Sequence, residues 1–124
     1  MQFLLLIYGV EANFAKMNPQ DLAAMVEEYG KFTQEIIKSG QYKGGERLKP
    51  IAAATTVRVR EGKRVTTDGP FAETKEQLAG FYMIDANDLD EAIAVAARIP
   101  GARIGSIEVR PIFAREALAD SAKG

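Results

Sequence analysis

The chain has 124 residues, 16 Lys+Arg against 17 Asp+Glu, and no cysteine, histidine or tryptophan. This excludes a disulfide framework, thiolate and imidazole metal sites, cysteine nucleophiles and the Ser-His-Asp triad, so any proton transfer must use carboxylates, Tyr or Lys. With 47% hydrophobic and 27% charged residues it reads as one globular domain, and a net charge of −1 gives no overall pull toward nucleic acid or anionic membrane.

Phe3 to Tyr8 is a short apolar run closed by Gly9, the pattern of a strand buried on both faces. It is far below the ~20 residues needed to cross a bilayer. It also lacks the basic lead-in and cleavage site of a signal peptide, so a cytoplasmic protein with no membrane partner is expected. Asn18-Pro19-Gln20-Asp21 opens a helix, with Asn18 as N-cap, Pro19 at the first helical position and Asp21 near the positive end of the dipole. Leu22, Met25, Val26, Tyr29, Phe32, Ile36 and Ile37 form its apolar stripe, and Gly40 stops it. Gly30, inside the stripe, is expected to mark a close backbone approach.

Residues 41–50, with Gly44-Gly45, read as a loop. Ala53 to Arg60 alternates as a strand, and a second short strand around Val65 follows Glu61-Gly62. A three-residue turn over Arg60-Glu61-Gly62 sorts the faces best, setting Val57 opposite Val65. Thr56, Arg58, Arg64 and Thr66 then share the other face, with Arg58 opposite Arg64, unfavourable unless an anion sits between them. Asp68-Gly69-Pro70-Phe71 has turn composition, and residues 72–77 form a polar connector. Leu78 to Ala86 is the next strand, opened by Gly80. Asp88 and Glu91 make a capping-box pattern ahead of a helix whose stripe is Leu89, Ala92, Ile93, Ala96 and Ile99, ended by Pro100-Gly101. Ile104 to Arg110 is the last strand, with Ile107 and Val109 on one face and Ser106, Glu108 and Arg110 on the other. Residues 113–124 read as an alanine-rich tail able to form a short helix.

Strand, helix, hairpin, strand, helix, strand predicts an α+β, ferredoxin-like βαββαβ fold carrying an extra hairpin. Helices cover one sheet face only. The other is too apolar to stay wet if Phe3, Phe81 or Met83 points there, and pairing of two copies into a closed barrel is the expected remedy.

Asp68-Gly69-Pro70-Phe71-Ala72-Glu73-Thr74-Lys75-Glu76 resembles the signature of the DGPF proteins, a branch of the YciI-related family. Four further stretches, in order, support it: residues 5–9, 55–58, 78–82 and 105–111. The resemblance covers residues 1–112 as one domain and leaves 113–124 as a tail. It implies a homodimeric α/β barrel. It also implies, for some relatives, lyase-like action on cyclic or aromatic compounds through a His-Asp pair. The chain has no His, so only Asp68 offers itself for half of that pair. DGPF genes often neighbour those of extracytoplasmic-function sigma factors, which implies a regulatory context.

The candidate site residues follow. Asp68 is the candidate catalytic acid/base; its structural alternative is a local turn carboxylate bonded to backbone N–H groups. Arg58, Arg64, Glu108 and Arg110 are candidates to converge on one polar sheet face. There Glu108 would pair with one arginine and the rest would offer a fork to a carboxylate or phosphate. Glu73 and Lys75 can fold over a pocket mouth, or stay solvated. Tyr8 adds a hydroxyl. Phe71 reads as a core plug or dimer contact. The glycines at 44, 45, 101 and 105 make no phosphate loop and the carboxylates have no metal-loop spacing, so neither cofactor nor metal is expected. The expected function is binding of a small anionic or cyclic molecule in a sheet-lined pocket of a dimer, with no nucleic-acid partner. A cofactor-free lyase or isomerase using a carboxylate is the enzymatic alternative; a structural or partner-binding dimer is the third.

Overall fold

A computed structural model describes residues 1–114; the helix expected in the tail lies outside them. The described residues form six strands, β1 (Gln2–Gly9), β2 (Tyr42–Arg47), β3 (Thr55–Arg60), β4 (Lys63–Asp68), β5 (Gln77–Asp85) and β6 (Ser106–Pro111). The helices are α1 (Glu11–Ala15), α2 (Pro19–Lys38) and α3 (Leu89–Ala97), with single 3-10 turns at Ile51–Ala53 and Pro100–Arg103. β1, β2, β5 and β6 form one sheet in the order β2-β5-β1-β6, antiparallel at each pairing. That is the ferredoxin-like order, with α2 and α3 as its two crossovers. β3 and β4 form a separate two-stranded ribbon, the extra hairpin.

Local chemistry starts both long helices as the sequence predicts. The Asn18 side chain accepts from the Asp21 amide at 2.8 Å, and Asp88 accepts from the Glu91 amide at 2.8 Å. Glu91 reaches back to the Asn87 amide at 2.7 Å and takes a second bond from the Gln41 side chain at 2.9 Å. The capping box thereby also ties α3 to the segment entering β2. Gly40, with φ of 81°, follows the end of α2 in the left-handed region.

The core lies between the helices and one sheet face. Phe3, Leu5, Tyr82 and Ile84 come from the sheet, Phe32 and Ile36 from α2, and Ala92, Val95 and Ala96 from α3, with Ile99 beyond it. Phe32 meets Tyr82 edge-on, with ring centroids 5.3 Å apart. Leu89 and Ile93 of the expected α3 stripe are half exposed, and Val95 takes the buried place instead. Phe3 is fully buried on the helix side, so it does not burden the open face.

Four local expectations are overturned. Residues 42–47 are not a loop but an edge strand, because Gly45 and Gly80 allow two backbones to close up. A Cβ on Gly80 would lie 2.8 Å from the Glu46 carbonyl oxygen, and one on Gly45 2.9 Å from that of Phe81. Gly80 accordingly lies inside β5, not at its start. Among the described residues Gly30 approaches nothing: a Cβ there would have no neighbour within 4 Å. The ribbon closes through two residues, Glu61 and Gly62, with φ of 53° and 74°. That is the positive-φ pair of a tight hairpin turn whose twist matches the strands. It sets Val59 opposite Arg64 and Arg58 opposite Val65. The faces are mixed, and this costs little because every residue of β4 is exposed.

Candidate functional site

The alternation of β1 turns Leu4, Leu6 and Tyr8 away from the helices. The register then aligns two rows across the open face. Gly44, Met83, Leu4 and Arg110 form one; Glu46, Phe81, Leu6 and Glu108 form the other. Apolar side chains occupy the two central strands and charged ones the edges. Leu4, Leu6, Phe81 and Met83 are all half-buried in the single chain. Phe81 and Met83 thus do point to the face that the helices among the described residues leave uncovered.

At the β6 edge of that face three candidate residues meet. The Tyr8 hydroxyl donates to Glu108 Oε1 at 3.4 Å, and the Arg110 guanidinium donates to Glu108 Oε2 at 2.5 Å. Tyr8 and Glu108 are partly buried, while Arg110 is exposed. The hydrogen bond and charge of Glu108 hold Arg110 protonated even more firmly than an ordinary guanidinium. The carboxylate in turn keeps the guanidinium aligned beside the phenol. The cluster sets a hydroxyl, a cation and a carboxylate side by side next to an apolar floor.

Arg58 and Arg64 do not join it. They stand on opposite faces of the β3–β4 ribbon, each across from a valine, and the expected convergence of four charged residues on one face does not occur in the chain. The reason is the two-residue turn, which shifts the register by one and sends the two arginines apart. Asp68 ends β4 opposite Thr55 and is exposed. Among the described residues its carboxylate takes no hydrogen bond, so the expected local turn bond is absent. The turn is held instead through Gly69, with φ of 103°: its amide donates to the Ala54 carbonyl at 2.7 Å, and its carbonyl accepts from the Thr56 hydroxyl at 2.8 Å. Phe71 is 80% exposed, so it plugs no core in this chain. Glu73 and Lys75 are exposed on the connector to β5.

One positioning residue is invisible in the linear pattern. The Glu11 carboxylate accepts from the Ile51 amide at 2.9 Å, and its own amide donates to the Gln77 side chain at 3.0 Å. Gln77 also donates to the Thr74 carbonyl at 2.8 Å. Glu11 thereby links α1, the approach to β3 and the end of the connector. No spacing rule marks a residue whose partners lie 40 and 66 positions away.

Comparison with known proteins fits this architecture. The YCII-related domain matches residues 1–116. The chain belongs to the YCII-related family. An uncharacterized protein of Rhizobium meliloti (strain 1021) is 36% identical over 114 residues, covering 90% of the chain and 92% of that relative. The domain reaches from β1 through β6, so the ribbon, the connector and the open face all belong to the YCII-related unit. Among the described residues of this YCII-related chain, no helix is long and apolar enough to cross a membrane.

Proposed function

We propose that this YCII-related protein, read as one of the DGPF branch, binds a small anionic or cyclic molecule on its open sheet face, and that two copies close that face into a barrel-like interior. The observation that carries the reading is one surface. Leu4, Leu6, Phe81 and Met83 form a contiguous half-exposed apolar floor, bordered by the Tyr8–Glu108–Arg110 cluster. An apolar floor of this kind favours association, and a few convergent polar groups at its margin supply orientation. Binding fits better than acid/base catalysis, because a general base needs a shielded carboxylate and that of Asp68 lies in solvent. A cytoplasmic, regulatory setting is part of the same reading.

The test has two measurements. Sedimentation equilibrium of the intact protein is expected to give a dimer, and Phe81→Asp a monomer. A thermal-shift panel of phosphate, small carboxylates, lactones and phenols is expected to raise the midpoint by several degrees for an anion or ring at about 100 times its dissociation constant, equivalent to roughly 2.7 kcal/mol. The shift should vanish in Arg110→Ala. A monomer with no shift across the panel would refute the reading. Asp68→Asn should bind as the parent does; a turnover assay that dies with Asp68→Asn would restore the catalytic alternative.

A further inference from the structure

The β3–β4 ribbon is the part of the molecule that its own chain explains least. A two-stranded ribbon is marginally stable unless it packs on something, yet among the described residues no other element packs extensively against it. Val57 and Val59 are 57% and 62% exposed. The register puts them on one ribbon face together with Arg64 and Thr66. Charge is concentrated here as well. Residues 43–64 hold seven of the chain's 16 Lys+Arg and two of its 17 Asp+Glu, a net of +5 against −6 for the remainder. Among the described residues none of those seven cations forms an ion pair. A basic, valine-faced arm on an otherwise acidic chain is complementary to a second copy of the same chain.

The open-face cluster has the opposite deficit. Glu108 and Arg110 cancel each other, so one chain presents no net positive charge there to hold an anion. We propose that the Val57–Val59–Arg64 face of the ribbon docks on a second copy of the chain and delivers its Arg64 to that copy's Tyr8–Glu108–Arg110 cluster, completing the anion site across subunits. This rests on the dimer and the anion site read above. Arg64 is the arginine assigned because it shares the valine face; Arg58 lies on the other. With Arg64 added, two guanidiniums flank one carboxylate, and the spare fork suits a phosphate or carboxylate. The exposed valines favour a protein surface over nucleic acid, whose backbone would use the cations and leave the valines wet.

Complementation between subunits tests this, with inorganic phosphate as the probe. Dimers of Arg64→Ala and dimers of Arg110→Ala should each bind phosphate at least tenfold more weakly than the parent. Mixed dimers carrying one subunit of each kind should regain parental affinity at half the parental stoichiometry, because one of the two sites then holds both arginines. The absence of native cysteine makes Val59→Cys a unique attachment point for a photo-crosslinker. It should join two subunits, and the acceptor peptide should lie in the partner. A monomeric parent protein overturns the dimer reading and this inference together. A dimeric parent whose mixed dimers stay silent, or whose crosslinks remain within one chain, overturns the arm alone. So does a dimer that takes up no phosphate, or a duplex oligonucleotide that binds through Arg64 while self-association is undisturbed.

Discussion

Gly30 sits in the middle of α2 where a side chain would meet open space. Among the described residues nothing at that position uses the missing Cβ, so the residue there only enlarges the freedom of the unfolded chain. Gly30→Ala is expected to stabilise the fold by about 0.5–1 kcal/mol, read as a higher urea midpoint at unchanged slope. A decrease would mean that α2 needs its glycine for a contact outside the single chain. Gly30 was legible as a helix glycine but not as a free one, because sequence spacing does not say whether another backbone lies alongside. The N-caps are the contrasting case. Asn18 and Asp88 each bond an amide three residues on, and a contact of that range is written in the local sequence. Glu11 bonds across 40 positions and was not legible at all.

At the scale of elements, the ribbon shows which of two rules governs register. Sorting valines to one face favours a three-residue turn. Turn chemistry favours the two-residue pair with positive φ. Face sorting has force only where one face is buried, and among the described residues no ribbon side chain is buried, Thr56 and Arg58 being half-buried at most, so the turn decides. Glu61 holds φ of 53°, a conformation that costs an ordinary L-residue about 1–2 kcal/mol and an asparagine less. Glu61→Asn is therefore expected to slow amide exchange across β3 and β4 severalfold while leaving the global melting midpoint within a degree or so, because the ribbon contributes little to the core. Unchanged exchange would show that the turn carries no such cost. β2 shows the converse. Gly44-Gly45 has the composition of a loop, and only the closeness of β5 explains why small residues occupy a strand there.

Among the described residues, helices cover one face of the sheet and leave the other to its own apolar rows. The covered side contains two tyrosines whose hydroxyls are bonded inside. Thr33 gives its single proton to the Tyr29 carbonyl at 2.8 Å, so in its 2.7 Å contact with Tyr82 the tyrosine is the donor. The Tyr29 hydroxyl accepts from the Gly101 amide at 3.1 Å. Burial pushes both phenols above their ordinary value of 10.0. A raised value means that the folded state keeps its proton more tightly than the unfolded one. The stabilisation is complete below pH 10 and is lost as pH rises through the raised values. The urea midpoint should thus fall steeply above about pH 10. Tyr29→Phe with Tyr82→Phe should be less stable near neutrality, for want of the bonds, yet lose less on going alkaline. A parallel decline in both proteins would assign the alkaline transition to other groups.

What this sequence determined by itself was everything carried by short-range pattern. That includes the helix starts, the presence of β1, β5 and β6 as strands, the alternation of β6, and the order of elements that makes a ferredoxin-like fold. Tertiary structure decided whether Gly44-Gly45 belongs to a strand, which partner faces each ribbon arginine, and that Tyr8 joins Glu108 from a neighbouring strand. Those outcomes depend on which backbones lie side by side, and that is set by burial of the whole core against its loss of chain entropy. A local window of sequence contains neither quantity.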